Sequence, residues 1–506
     1  MNTERKPIRL WIYGVYLALG LVLALIIGLN MVFMAQQGIG ILVAFIAFLL
    51  PLLVLMMLAV KIEIPPIRLA IGLGLCAFML KFAAAVLIDA EPTSDFQIIY
   101  QASLRLAQGD MSFDRRSYFH KLPYQLGFVF YQSVILRLFG HGKMALWFAN
   151  SLWMAGTNVL VYLFARRVSG DDRCGAFAGV FYLFFPAPYF LASVLTNQHL
   201  STFLILLGLY ILWIFREKRI LPFAAGGLCV ALGNAIRPVG IVAVCAVLGY
   251  CFLQFLSAWR NSKGNRGKAL WQWPVRGSMT VGVYILTSFI LSQAVIFSGL
   301  GPYGLKNNDP LWKFAAGLNM STDGGYSQEM RDAINNSSDS EAYQWDMIRE
   351  SLSRPIDQWA VFMLHKADRM WASPEPTQWS FGTIIHDDVS DQPQKALQQK
   401  IVLGALGIEK VYYTWAMILA LITVALFWRH KMVSVSACLI FLMILAYFAI
   451  HVVIEVQPRY RYCIMPYLFI FTGYCLPAIE KRFQRAPDIV KKIGGKKACA
   501  GAGNAL

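Results

Sequence analysis

The chain has 506 residues, of which 58 % are hydrophobic and only 14 % are charged. Soluble domains carry about 45–50 % apolar and about 25 % charged residues, so the composition excludes a water-soluble globule. It also excludes intrinsic disorder, a collagen-like chain and a disulfide scaffold. A polytopic membrane protein is predicted.

Membrane-spanning helices need about 20 mostly apolar residues, and this rule predicts about twelve of them. They lie near residues 10–34, 39–60, 66–88, 143–165, 174–193, 197–215, 220–236, 239–257, 278–298, 403–428, 432–453 and 462–479. The first is too long for the core of a secretory signal peptide and lacks a small-residue cleavage site, so we expect it to be retained. The predicted fold class is an all-α polytopic membrane protein.

Lysine and arginine are concentrated in one set of short connections and in the C-terminal tail. By the positive-inside rule these segments face the cytoplasm, which places both termini there and the protein in the cytoplasmic membrane. Most acidic residues lie on the opposite side, in segments 89–123 and 299–402. The net charge of +17 is therefore explained by topology, and the sequence argues against nucleic acid as a partner.

The pattern divides the chain into five parts. They are two N-terminal transmembrane helices (1–65), a transmembrane core (66–298) with a first outer loop at 89–142, an outer loop (299–402), C-terminal transmembrane helices (403–480) and a basic cytoplasmic tail (481–506). The outer loop is too rich in tryptophan for a disordered linker, so we expect an extracytoplasmic subdomain of short helices. The aromatic run that ends at Gly140 is only about 16 residues long, which favours an interfacial helix on the outer face.

The sequence gives little indication of a metal site and none of a disulfide framework. The nine cysteines lie in or beside predicted spans or in the tail, and no CxxC occurs, so we expect neither a disulfide framework nor a zinc site. His451 and Glu455 are spaced i, i+4, and Asp387, Asp388 and Asp391 cluster in the outer loop. A divalent cation stays open at either place, although solvated surface is favoured for the aspartates; no other cofactor is indicated.

A carboxylate at the outer exit of the third span is the first candidate for chemistry. Asp95, in Ser94-Asp95-Phe96, has access to water and lipid headgroups, and a carboxylate there can take a proton from an acceptor hydroxyl. The alternative is that Asp95 is the N-cap of a helix that runs to Ala107 and ends before Gly109. The residues alone favour the capping role and leave the catalytic role open.

Further along the chain, Tyr118-Phe-His120 is followed by Pro123, and the next apolar helix ends in Leu-Phe-Gly140. Near the other end, Glu455-Val-Gln-Pro-Arg459-Tyr-Arg-Tyr precedes the last span. Together with the acid in the first outer loop, this order resembles the integral-membrane GT-C glycosyltransferases. The resemblance is greatest to protein O-mannosyltransferases and lipid A aminoarabinose transferases. Their His-Pro-Pro-Leu pattern lacks its second proline here, and the first two spans are an addition to the family layout.

The resemblance implies a mechanism. The donor would be a hexose or pentose on a polyprenyl phosphate, and the acceptor a glycan, lipid or protein on the outer face of the membrane. Asp95 would act as general base for inversion at the anomeric carbon. Glu91, Tyr100, His120 and Tyr460 would contact substrate, while the sugar and the acceptor stay undefined.

The leaving group in such a reaction is a lipid phosphate, which needs positive charge. Arginine suits phosphate because it is always charged and offers a forked donor pair. Arg459 and Arg461 are predicted at the outer mouth of the bundle, Arg237 at an outer turn, and Lys81 about two turns below the exit of the third span. Anchoring to lipid headgroups is the alternative role for each.

Two other function classes stay open. A lipid or glycan transporter or flippase would have a similar number of helices, but it would need polar groups threaded through the membrane midplane. A non-catalytic scaffold on the same fold would keep the motif residues without activity. The concentration of polar residues at the outer edge favours the enzyme.

Overall fold

The computed structural model describes residues 6–61, 63–113, 118–140, 142–217, 219–261, 267–375, 377–382, 392–430, 435–477 and 480. All regular secondary structure within these ranges is helical. The predicted cation candidates Asp387, Asp388 and Asp391, the acidic residue Asp114 and the tail 481–506 lie outside the described residues.

The α-helices are, in chain order, α1 (Lys6–Gln36), α2 (Ile39–Ala47), α3 (Leu49–Val60), α4 (Pro66–Ile88), α5 (Ser94–Ala107), α6 (Tyr118–Lys121), α7 (Leu126–Phe139), α8 (Lys143–Ser169), α9 (Asp172–Leu183), α10 (Ala187–Phe190), α11 (Gln198–Ile214), α12 (Leu221–Ile236), α13 (Gly240–Asn261), α14 (Gly267–Phe297), α15 (Trp312–Gly317), α16 (Gln328–Asn336), α17 (Ser340–Leu352), α18 (Ile356–Trp371), α19 (Gln378–Phe381), α20 (Pro393–Arg429), α21 (Val435–Val453) and α22 (Met465–Thr472). Four 3₁₀ helices are η1 (Pro123–Gln125), η2 (Met320–Thr322), η3 (Pro458–Cys463) and η4 (Gly473–Cys475).

Among the described residues, seven helical segments are long and apolar enough to cross a membrane. They are Leu10–Gln36, Ile39–Val60, Pro66–Ile88, Lys143–Ser169, Gly240–Trp259, Trp271–Phe297 and Pro393–Arg429, and three shorter apolar helices are Gln198–Ile214, Leu221–Ile236 and Ala437–Val453. The predicted all-α, multi-pass membrane fold is confirmed. The predicted number of about twelve spans is not confirmed.

One predicted span, near 174–193, is interrupted in the structure. α9 ends at Leu183, and the short α10 begins only at Ala187. The cause lies in the sequence, because Pro186 and Pro188 lack the backbone N–H that a continuous helix needs. Hydropathy alone does not report such a break.

The last predicted span is also replaced by shorter pieces, namely η3, α22 and η4. Pro466 lies in the first turn of α22, where its missing N–H costs little. The chain then passes so close to α9 that a Cβ on Gly473 would lie 2.1 Å from the carbonyl oxygen of Cys174. This part of the bundle therefore consists of short helices in close backbone contact with α9, and not of one long helix.

Close backbone approach also joins α11 to α12. A Cβ on Gly208 would lie 2.8 Å from the carbonyl oxygen of Gly226, and one on Gly226 would lie 3.0 Å from that of Gly208. Small residues allow such contacts between membrane helices, where packing rather than hydrophobic burial drives association. The pairing places the far end of α12, with Arg237, beside the start of α11, with Asn197.

Helices α5–α7 and α15–α19 lie together at one end of the bundle, which we call the capped end. Lys121 donates to the Asn335 side chain at 2.6 Å, and the Asn308 amide donates to the His120 carbonyl at 2.8 Å. The two polar segments predicted to share one side of the membrane therefore do share one end. That this end faces outward stays a prediction from the charge distribution.

Helix α7 has both of its ends at the capped end. At its start, a Cβ on Gly127 would lie 2.1 Å from the carbonyl of Ala235, at the end of α12. Just beyond its end, Lys143 bonds Asp89 at 2.8 Å, at the end of α4. The helix therefore does not cross the bundle, as expected for an interfacial helix.

Candidate active site

Asp95 lies in the first turn of α5 and is partly buried. The N-cap residue is Thr93, and the carboxylate of Asp95 makes no hydrogen bond or ion pair with any described residue. Helix capping therefore does not explain this aspartate. Burial raises the pKa of Asp95 above its ordinary value of 3.8, although the charges of Arg459 and Lys313 oppose the rise.

The ring of Tyr460, in η3, is surrounded by three cations. Its centroid lies 5.0 Å from the guanidinium carbon of Arg237, 5.8 Å from Nζ of Lys313 and 5.9 Å from the guanidinium carbon of Arg459. The phenol donates to Glu455 Oε1 at 3.5 Å. Among the described residues, Glu455 is the one carboxylate that pairs with any of these cations.

Glu455 is buried and bonded to Lys313, and it also accepts from the Gln457 amide at 2.6 Å. Burial alone would raise the pKa of this carboxyl, but Lys313 and Gln457 hold it below its usual value. Gln457 in turn accepts from Nε of Arg459 at 2.7 Å. This relay fixes the Arg459 side chain without using its two terminal nitrogens.

Those terminal nitrogens of Arg459 have no hydrogen-bond or ion-pair partner within the described ranges. The guanidinium carbon lies 5.2 Å from the ring centroid of Phe96 and 5.0 Å from that of Trp379. Cation–π contacts hold a guanidinium in place while its forked N–H groups stay available. Since Phe96 follows Asp95 in the chain, the available fork lies beside the unpaired carboxylate.

Arg237 is held in place by a short series of hydrogen bonds between side chains. Its Nη1 donates to the Asn197 side chain at 3.0 Å, Asn197 donates to Gln125 at 3.3 Å, and Gln125 donates to the hydroxyl of Tyr118 at 3.4 Å. Nε of Arg237 is buried and has no hydrogen-bond partner in the part of the chain that the structure describes. An unpaired buried donor on an arginine leaves capacity to bind an anion.

The loop subdomain supplies part of this site, because Lys313 belongs to α15. The backbone N–H of Glu455 donates to the Lys313 carbonyl at 2.8 Å, and that of Val456 donates to the Gly324 carbonyl at 2.9 Å. A Cβ on Gly317 would lie 2.2 Å from the carbonyl carbon of Ile454. The segment 454–456 is thus joined to the subdomain by direct backbone contact.

Lys366, on α18, reinforces the same junction. Its ammonium donates to the carbonyls of Gly317 and Val452, the latter at 2.9 Å. Burial lowers the pKa of Lys366 to about 7, even though the charge of Glu455 opposes the change. The position of Glu455 is therefore set by contacts on both sides of it.

The remaining predicted phosphate ligands lie elsewhere. Lys81 is buried in α4, with Nζ 3.0 Å from the ring centroid of Tyr189 and 3.4 Å from the Leu183 carbonyl. Arg461 is buried and paired with Glu375 at 3.3 Å. Neither cation is among those around Tyr460, so the phosphate-binding role of each stays an untested prediction.

Three other predicted substrate contacts lie outside the group of charges around Tyr460. Glu91 is exposed and pairs with Lys143 at 2.6 Å, and Tyr100 lies in the same region. His120 is exposed, with its ring centroid 5.0 Å from that of Tyr303. Of the four predicted contacts, Tyr460 alone lies in the cluster of cations.

Sequence reasoning missed Lys313, Tyr118, Tyr124 and the amides that orient Arg237. Lys313 lies in an outer loop with no periodic pattern, so nothing in the sequence connects it to Glu455. Tyr118 and Tyr124 flank the motif that drew attention to His120, and short helical turns direct these two tyrosines, rather than the histidine, toward Asp95. The sequence does not specify in which direction each side chain points within such short turns.

A groove of about 320 Å³ opens beside the site, between the end of α12 and α14. Tyr124, Ser288, Phe289, Ser292 and Lys306 are among its lining residues. Tyr124 is also close enough to Arg237 and Asp95 for their charges to affect its pKa, which burial raises. Tyr124 therefore lines the groove that α14 borders and also lies near Arg237.

No group of three or more His, Cys, Asp or Glu in the part of the chain that the structure describes is arranged to hold a metal ion. Nδ1 of His451 donates to the Tyr447 carbonyl at 2.7 Å, and the centroid of its ring lies 4.4 Å from that of Tyr447. Glu455 points instead to Lys313. The predicted pairing of His451 with Glu455 is not seen in this geometry.

Comparisons with known proteins give a match to a family model and to solved structures. The family model described as dolichyl-phosphate-mannose-protein mannosyltransferase matches residues 125–269. The chain resembles the membrane glycosyltransferases of the GT-C superfamily. The matched segment of this GT-C-like protein contains Gln125, Asn197 and Arg237, and it ends before Lys313.

One matching solved structure is that of ArnT from Cupriavidus metallidurans bound to undecaprenyl phosphate. It is 14 % identical in sequence, covers 84 % of this chain and 80 % of that chain, and has a TM-score of 0.38. So low a score supports no argument about residues or ligands. A search of curated proteins gives no match to this sequence.

Proposed function

We propose that the protein is a membrane glycosyltransferase that moves a sugar from a polyprenyl-phosphate donor to a hydroxyl acceptor at the capped end. The observation that carries the proposal is the set of three cations around Tyr460, with one paired carboxylate, beside the unpaired Asp95. The cluster has an excess of positive charge, so it favours an anion. The family match supplies the reaction class.

The anion in this proposal is the donor phosphate. When the bond between the anomeric carbon and the phosphate oxygen breaks, negative charge grows on that oxygen. The forked N–H groups of Arg459, the unpaired Nε of Arg237 and the ammonium of Lys313 stabilise that charge as it develops. Because all three are already held by neighbouring side chains, little reorganisation is needed during the reaction.

Asp95 is the general base in this reaction. It takes the proton of the acceptor hydroxyl as the acceptor oxygen attacks the anomeric carbon, and the phosphate leaves from the opposite face with inversion. A base is more effective when its pKa is nearer the working pH. The raised pKa of Asp95 is therefore suited to this role.

The groove between α12 and α14 is the proposed route of the polyprenyl chain. Its volume falls within the usual range of about 300–1,000 Å³ for ligand sites, and the exposed apolar face of α14 borders it. A donor chain in this groove leaves its phosphate near Tyr124 and Arg237. This arrangement keeps the tail in lipid and the sugar near Asp95.

The test is donor discharge by the purified full-length protein in lipid nanodiscs. Polyprenyl-phosphate sugars are offered one at a time with membrane extract as acceptor, and free polyprenyl phosphate is measured by mass spectrometry. We expect one donor to be discharged, and Asp95→Asn to reduce its rate by about 10²–10⁴. Asp110→Asn is the matched control, because Asp110 lies in the same loop and bonds only the neighbouring Ser112, whose N–H donates to it at 2.7 Å.

Discharge of a donor by wild type and by Asp95→Asn at equal rates would remove Asp95 from its role. Failure of every donor, with a wild-type protein that also binds no polyprenyl phosphate, would overturn the proposed function. Transport of lipid-linked sugars across the bilayer without discharge would favour the flippase alternative.

A further inference from the structure

The two arginines of the 3₁₀ helix η3 point in different directions. Arg459 and Tyr460 lie at the site, while Arg461 points into the protein and is only 1 % exposed. Its Nη1 donates to the Trp371 carbonyl at 3.3 Å, and its Nη2 lies 3.3 Å from Glu375. A charged side chain this deeply buried needs a specific reason to be there.

Arg461 belongs to a buried group of four charges, which we call the inner ion cluster: Arg461, Glu375, Glu409 and Lys410. Each is 3 % exposed or less. Arg461 Nη2 is 4.0 Å from Glu409 Oε1, and its guanidinium carbon lies 4.8 Å from the ring of Tyr413. Two carboxylates balance two cations, so the cluster is neutral as a whole.

The inner ion cluster also reaches the first helix. Lys410 donates to the Asn30 side chain at 2.9 Å and to the Ala372 carbonyl. The Asn30 amide donates to the Trp371 carbonyl at 3.0 Å, which is the same oxygen that accepts from Arg461. Helix α1, the end of α18 and η3 therefore meet at one carbonyl group.

The carboxylates of the cluster are only partly satisfied. Among the described residues, both oxygens of Glu409 and Oε1 of Glu375 have no hydrogen-bond partner, and a cavity of about 10 Å³ is lined by these two carboxylates and Arg461. That volume is near the minimum of about 10–15 Å³ for one water. Burial raises the pKa of Glu375 to about 7, against the opposing charge of Arg461.

We propose that Arg461 is a positioning residue for Arg459, and that the inner ion cluster fixes η3 so that the available guanidinium fork faces the donor phosphate. The inference rests on the proposed function. Only Tyr460 separates Arg461 from Arg459 in the chain, so a loosened η3 moves Arg459 directly. The inner ion cluster also gives the added N-terminal helices a role, because Asn30 of α1 donates to the Trp371 carbonyl that Arg461 shares.

A single substitution at Arg461 leaves two buried carboxylates against one cation, so it destabilises the fold for reasons unrelated to positioning. The informative variant is the neutral pair Arg461→Met with Glu375→Gln, which leaves one buried charge of each sign, on Glu409 and Lys410. We expect its unfolding temperature to stay near that of the wild type. Displacement of catalytic groups by about 1 Å can cost on the order of 100-fold, so we expect kcat/KM for the donor to fall by that order.

Conservative and control variants separate positioning from general damage. Arg461→Lys keeps the charge but loses the forked donor pair, so its kcat/KM should lie between the wild type and the neutral pair. Arg173→Met is the matched control, because Arg173 pairs with Asp171 and Glu480 at the opposite end of the bundle. Asn30→Ala should reduce kcat/KM in the same direction, by less.

Binding of undecaprenyl phosphate, measured by titration in nanodiscs, gives a readout that does not require turnover. The proposal predicts tight binding by wild type and by Arg173→Met, and weaker binding by the neutral pair at an unchanged unfolding temperature. If the neutral pair binds undecaprenyl phosphate as tightly as the wild type and has the same kcat/KM, the positioning role alone is overturned. Absence of both binding and discharge in the wild type would overturn the proposed function and this inference with it.

Discussion

Lys313 offers the sharpest test of the cation cluster, because it has two separable roles. It neutralises the buried Glu455, and in our account it also stabilises the leaving phosphate. Removing one preorganised donor from a site of developing charge typically costs about 10²–10³ in kcat, or about 2.7–4 kcal/mol. We therefore expect Lys313→Met to lose on the order of 10²–10³ in donor discharge.

The loss could also arise because Glu455 is left buried without its partner. Glu455→Gln removes that charge and leaves Lys313 available to the phosphate, so its discharge rate should stay within about 10-fold of wild type. The double variant Lys313→Met with Glu455→Gln has no unpaired carboxylate. If Lys313 acts on the phosphate, the double variant stays as slow as Lys313→Met.

The assay is the initial rate of polyprenyl phosphate release, with unfolding temperature recorded for each variant. Lys395→Met is the control, since Lys395 is an exposed residue at the start of α20. Recovery of the double variant to the rate of Glu455→Gln would refute the assignment, because it would make Lys313 only the counter-ion of Glu455.

Three further outcomes follow from the same site. Because burial raises the pKa of Asp95 above 3.8, and only the deprotonated form acts as a base, discharge should fall as pH drops through a pKa above that value. A pH–rate profile checks this, and an acid limb that persists unchanged in Asp95→Asn would assign it to another group. Arg459→Lys keeps a charge but loses the forked donor pair, so donor KM should rise about 10–100-fold, as measured by donor titration; an unchanged KM contradicts the phosphate contact. Ser288→Trp fills the groove between α12 and α14, so it should impair a long-chain donor more than a short-chain analogue, and equal effects on both would argue for another lipid route.

Much of the fold follows from the sequence because hydropathy reports burial in lipid directly. The first three predicted spans agree with α1, with α2 and α3 together, and with α4 to within a few residues. The break between α9 and α10 depends instead on two prolines within a buried apolar run. A hydropathy window averages over such a break, so only backbone geometry identifies it.

The site was partly predictable for a similar reason. Asp95, Arg237, Arg459 and Tyr460 stand out as polar residues at the ends of apolar segments, and the structure brings them together. Their neighbour Arg461 has the same chemistry, yet it faces the inner ion cluster. A 3₁₀ turn rotates adjacent side chains apart, and one-dimensional patterns do not specify which arginine turns inward.

Lys313 shows more clearly where prediction from the sequence fails. It is more than 140 residues from Glu455 in the sequence, and the two meet because Gly317 lets α15 pack on the 454–456 backbone. No local rule predicts a contact between a loop subdomain and the chain before the last helix. The sequence therefore predicted a charged outer rim, while the set of residues in the proposed phosphate site could be identified only from the fold.

The most direct test of the account is the single-turnover rate of polyprenyl phosphate release, measured for wild type and Asp95→Asn with the donor that wild type discharges. The account predicts a burst of release by wild type and a rate lower by about 10²–10⁴ in the variant, with donor binding unchanged. Equal rates in the two proteins would contradict the assignment of Asp95 as the base.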